Sequence, residues 1–150
     1  MPKKDPALVP AIYRTCLHDS CALAPTCLRH IAYASHLMKS DSLIIINPAN
    51  CTPAASANDT PACAYYRSNT PVSFARGFIS FQRAMLPGQY EQFRKTLIRK
   101  FSRPTFYAQR NGTVAITPSE QKFIAQAAIQ AGLDTPPAFD NYEMLPDWYE

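Results

Sequence analysis

"TFYAQRNGTVAIT", residues 105–117, sets two β-prone runs on either side of Asn111-Gly112. Asn-Gly is the pair that best tolerates the positive φ angles of a type I′ turn, so the stretch predicts a β-hairpin. Just upstream, "LPG" at 86–88 breaks the chain before an amphipathic helix over 89–101. Tyr90, Phe93, Leu97, Ile98 and Phe101 recur there on one face, while Arg94, Lys95, Arg99 and Lys100 occupy the others. Downstream, "TPSEQ" offers Thr117 as N-cap, Pro118 at the first helical position and Glu120 as the capping-box partner. Phe123, Ile124, Ala127 and Ala128 continue that helix until Gly132 stops it. "NTPVSF" predicts one more helix, with Thr70 as N-cap and Pro71 at its first position. It would bury Phe74, Phe78, Ile79 and Met85, and Gly77 is the weak point in its middle. Helix, turn, helix, hairpin, helix is the order of a winged-helix-like unit over 70–131. The helix at 89–101 would enter the major groove and the tip Arg110-Asn111-Gly112 would be the wing.

The chain ahead of this core has a different character. "CLHDSCALAPTCLRH", residues 16–30, gathers Cys16, Cys21 and Cys27 at C-x4-C-x5-C spacing. Cys63 is placed to close the set. Four thiolates satisfy a tetrahedral zinc or the corners of a [4Fe-4S] cluster, and a loop region with little apolar content gains order from the ion it holds. The spacing is not the C-x2-C knuckle of zinc ribbons, so both metals stay open. Buried or unreactive free thiols are the plain alternative. Cys51 is the spare thiol in this reading, and His18, His30 and His36 are substitute ligands that are more often packed, hydrogen-bonded residues. A helix is expected over 27–39, strands at 42–46 ("SLIII") and 63–68 ("CAYYRS"), and a Pro/Ala-rich loop over 47–62.

Taken together, the 150 residues predict one small α+β domain. It comprises a metal-tied Cys-rich segment (13–68), a helix-turn-helix-hairpin-helix core (70–132) and an acidic, aromatic tail (133–150). Fourteen prolines, roughly double the usual share, favour short elements and fixed turns. No apolar run reaches the length of a membrane span, and prolines and charges interrupt any signal-peptide core near the N-terminus. The expectation is a cytoplasmic protein, in which clustered cysteines are metal ligands or reactive thiols rather than disulfides.

Charge is unevenly spread. Eight Arg and Lys residues between 76 and 110 face Glu91 alone, whereas after 110 six acids face Lys122 alone. Arg94, Lys95, Arg99, Lys100, Arg103 and Arg110 are therefore candidate nucleic-acid contacts. The rival reading folds the acidic tail back onto the basic helix, with Tyr142 and Trp148 as packing anchors.

Four stretches carry a resemblance. "CALAPTCLRH" (21–30), "CAYY" (63–66), "RNGTVAITPSEQ" (110–121) and "FDNYE" (139–143) resemble the motifs of an uncharacterised family of gut Bacteroidales proteins, over most of the chain. That family has proline where this chain has Ala22. The resemblance implies that Cys16, Cys21, Cys27 and Cys63 belong together as a set, and it implies no activity.

Function is expected to be non-catalytic: a metal-binding nucleic-acid or regulatory module. An iron–sulfur redox or sensor protein is one alternative, and a protein–protein adaptor using the tail or the 47–62 loop is another. No spacing assembles a Ser/His/Asp triad, and the four glycines form no phosphate-cradling loop. A thiol nucleophile, Cys16 or Cys27 with His18 or His30, would require sequence neighbours to meet in an orientation they seldom adopt.

Overall fold

The computed structural model describes residues 6–58 and 63–149; the basic start of the chain and part of the 47–62 loop lie outside them. The fold is α+β and divides into two compact units, one of residues 72–145 and one of residues 6–71 with 146–149.

In the 72–145 unit a two-stranded antiparallel sheet joins β1 (Val72–Arg76) to β2 (Asn141–Leu145), with Val72 opposite Leu145 and Arg76 opposite Asn141. The helix expected from 70 to 85 is therefore split. Gly77, at φ +76°, turns the chain out of β1, and a Cβ there would lie 2.7 Å from a carboxylate oxygen of Asp140. Only glycine serves at that turn. Asp140 then caps the short α2 (Ile79–Arg83), accepting the Ile79 and Ser80 amides at 2.8 and 2.9 Å. Partial burial opposes its charge, but the hydrogen bonds from Ser80 and Ile79 and the nearby Arg83 outweigh that and hold its carboxyl below the usual range.

The expected hairpin is absent, and with it the wing. Residues 103–110 form a helix, α4 (Arg103–Arg110), after α3 (Pro87–Phe101). Asn111-Gly112 ends α4 instead of joining two strands. Gly112, at φ +76°, donates to the Gln109 carbonyl and Thr113 donates to that of Ala108, the paired bonds of a glycine-terminated helix. The β-prone run after it survives as a bridge, Ile116 exchanging both backbone hydrogen bonds with Ala75. The last helix, α5 (Pro118–Gln130), starts with the expected capping box, Thr117 and Glu120 each bonding the other's backbone amide.

The core of this unit is aromatic. Phe78, Phe93 and Phe106 are fully buried, with Leu97, Ile116 and Ile124 around them. The acidic tail does dock, but on β1 and α2: Glu143 pairs with Arg76 at 2.9 Å and Asp140 caps α2.

In the other unit α1 (Leu28–Leu37) matches the expected helix and buries Leu28, Ala32 and His36. Its small core is Tyr13, Leu28, Ala32 and Trp148, the indole meeting the Tyr13 ring edge-on at 5.3 Å. Neither expected strand forms. Of "SLIII" only Ile46 is buried, and Ile45 makes a single bridge to Thr15. Of "CAYYRS" only Ser68 bridges, to Cys27. Among the described residues no helix is long and apolar enough to cross a membrane.

Candidate metal centre

Each cysteine is held by backbone bonds made for local reasons. Thr15 is clamped between the Ile44 carbonyl and the Ile46 amide, and the next residue, Cys16, donates its own amide to the Arg29 carbonyl. Cys21 sits on a turn closed onto the His18 carbonyl. Ala22 donates to the Ala54 carbonyl at 2.9 Å, a bond that proline at this position would lack. Ala54 returns its amide to the Cys21 sulfur at 3.3 Å. Cys27 is the N-cap residue of α1, and Cys51 ends the 3-10 turn Pro48–Asn50, which the Asn47 side chain caps.

These placements bring all five unbridged cysteines to the lining of one cavity of about 30 Å³. Cys16, Cys21, Cys27 and Cys63, grouped from the sequence, line it together. Cys51, read there as the spare, lines it too, with its Sγ 3.6 Å from that of Cys63. Two sulfurs bound to one tetrahedral zinc lie about 3.8 Å apart, given Zn–S bonds near 2.3 Å. Among the described residues no three Cys, His, Asp or Glu side chains are gathered tightly enough to hold an ion.

Burial and neighbouring thiols set the protonation of Cys51 at the cavity. Burial, then the hydrogen bond with Cys63 and the nearness of Cys16, push the Cys51 thiol up to about 12. Cys51 therefore keeps its proton at neutral pH unless a positive ion arrives to stabilise the thiolate. His18 lines the same cavity, and its Nε2 is buried without a hydrogen-bond partner. Buried ring nitrogens ordinarily find one, and a ligand would supply it. Soft sulfur donors suit zinc or an iron–sulfur cluster.

The other histidines have structural partners. His36 is buried with Nε2 3.1 Å from the Pro10 carbonyl. His30 reaches the Cys16 carbonyl through Nδ1, at 3.3 Å, and Asp19 through Nε2, at 3.4 Å, so its ring is engaged by groups other than a thiol.

The six basic candidates differ in their local contacts. Arg94 and Lys95 both pair with Glu91 on their own helix. Arg110, at the end of α4, donates to the Gln82 side chain and lies over the Tyr107 ring. Arg103 also faces that ring, and the Lys100 amine lies 5.5 Å from the Phe123 ring centre. Arg99, Lys100 and Arg103 are exposed.

Over residues 1–148 the sequence matches the family described as "Family of unknown function (DUF6078)". The chain belongs to that family. No curated protein and no solved structure matches this member of DUF6078.

Sequence reasoning set Cys51 aside as the spare because its neighbours come from two segments distant in sequence, 16–27 and 63. It also missed Arg14, Arg29 and Arg67, which cluster with Tyr13 and Trp148 around a second, larger pocket.

Proposed function

We propose that this member of DUF6078 is a small zinc-binding module whose metal orders the 6–71 unit, with a binding or regulatory role rather than a catalytic one. The observation that carries this reading is that five cysteines line one cavity, with the Cys51 and Cys63 sulfurs 3.6 Å apart, near the spacing of two ligands on a shared zinc. Cys16, Cys51 and Cys63 are the first three ligands, since the Cys51 thiol feels both of the others. Cys21 is the fourth, because the amide donated to its sulfur stabilises a thiolate. Cys27, on the same wall, is the replacement should Cys21 stay free.

A cytoplasmic location, where thiols stay reduced, suits such a site. So does the grouping of cysteines in the gut Bacteroidales family it resembles. Nucleic acid is the partner class that the exposed Arg99, Lys100 and Arg103 would suit, without the wing that a winged-helix complex requires.

Anaerobic purification followed by elemental analysis and a visible spectrum tests the metal reading. One zinc per chain and a colourless protein is the expected result. Iron with sulfide, and absorbance that bleaches on reduction, would replace zinc with the redox alternative. A folded chain free of both metals would refute the reading.

A further inference from the structure

The second pocket lies in the same unit and has the opposite chemistry. It measures about 310 Å³ and draws Arg14, Arg29 and Arg67 together with Tyr13 and Trp148. All three cations stand on fixed backbone. Arg14 lies between Tyr13 and the clamped Thr15, Arg29 is on α1, and the Arg67 carbonyl accepts the Leu28 amide at 2.7 Å.

Among the described residues no carboxylate forms an ion pair with any of the three. Asp147, close by, instead accepts the Tyr149 amide at 3.0 Å. Arg29 spends one terminal nitrogen on the Arg14 carbonyl and lays its guanidinium 4.5 Å from the Tyr13 ring centre. Its Nε is left buried with no partner, and so is the Tyr13 hydroxyl, on a side chain that is itself 9% exposed. Among the described residues Asp147 is the carboxylate near these three cations and pairs directly with none, so their mutual repulsion is only partly offset, and two buried donors left idle cost free energy. A compact anion with several acceptor oxygens would offset the charge repulsion.

We propose that this pocket binds a phosphate monoester. Guanidinium forks match phosphate oxygens in geometry as well as charge, and the phenol adds a neutral donor. Burial is the main influence on the Tyr13 hydroxyl and raises its pKa, so it stays protonated and able to donate. The apolar Ile12 and the Trp148 indole on the same wall suit the organic part of the ester better than bare phosphate. This site is separate from the thiol cavity in its ligand, though Arg29 lines both.

Trp148 is the only tryptophan in the chain and lines the pocket, so its emission reports occupancy. The full chain is titrated with phenyl phosphate, with inorganic phosphate, and with sodium chloride at matched ionic strength; 31P linewidths provide a second readout. Saturable binding of phenyl phosphate on the order of 1 mM or tighter is expected, weaker for inorganic phosphate and absent for chloride. Arg67→Gln and Arg14→Gln alter exposed side chains and should keep the native circular dichroism. Each should weaken phenyl phosphate by about tenfold, the scale of one lost charge-assisted hydrogen bond. No saturation by either readout up to ~20 mM, or both variants binding as tightly as the native chain, would overturn the proposal.

Discussion

Chelating the proposed zinc is expected to shift Trp148 emission to the red while most of the helical circular dichroism persists. The reason is the imbalance between the two units. Residues 6–71 with 146–149 hold one ten-residue α-helix, two single 3-10 turns and a core centred on Tyr13, Leu28, Ala32 and Trp148. Ordering each residue costs roughly 1–2 kcal/mol of backbone entropy, which so small a core cannot offset. Structural zinc contributes about 10–16 kcal/mol in small domains. Removing it should therefore melt this unit and free the Tyr13–Trp148 contact. Four of the five α-helices lie between 72 and 145, where no cysteine occurs, so their signal should remain. Chelation to a verified metal-free state with Trp148 emission unchanged would show that the thiols are not structural ligands.

The second large effect is Phe78→Ala, expected to destabilise the 72–145 unit by about 3–5 kcal/mol. Phe78 is fully buried where three rings meet: Phe81 stacked at 5.4 Å, Phe93 edge-on at 5.8 Å and Phe106 tilted at 5.8 Å. Those rings come from α2, α3 and α4, so the truncation leaves a cavity that no single element can collapse to fill. A unit of this size should lose more than about 10 °C in Tm. Phe78→Leu, which keeps most of the volume, should lose distinctly less. A drop of under ~4 °C for the alanine variant, measured by the helical signal, would place the core elsewhere.

The helices with complete local signals were legible from the residues alone. α3 and α5 carry their apolar faces and caps within a dozen or so residues, so no distant partner is needed to specify them. The stretch around Asn111-Gly112 misled because a left-handed glycine closes a helix as readily as it turns a hairpin. Only the identity of the element before it distinguishes the two. β1 was hidden for another reason. Val72–Arg76 is a strand because Asn141–Leu145 pairs with it, and nothing within its own neighbourhood records that partner. Ile44 and Ile45 looked buried as a run of three isoleucines, yet both are exposed.

The thiols divide in the same way. Three cysteines in twelve residues are visible at once, and Cys63 is placed to close a set of four. Cys51 sits in a Pro/Ala-rich stretch with no local signal and reaches the cavity only when that stretch folds back. The arginines of the second pocket come from an extended stretch, a helix and a bridge-bound loop, and their sequence spacing carries no trace of their meeting.

X-ray absorption at the zinc edge, on the full chain purified without oxygen, bears most directly on the thiol cavity. Four sulfur neighbours at about 2.3 Å are predicted, falling to three when Cys51 is replaced by alanine in a chain whose Cys27 is already alanine. A shell of oxygen and nitrogen alone, or a sulfur count that ignores Cys51, would contradict the account.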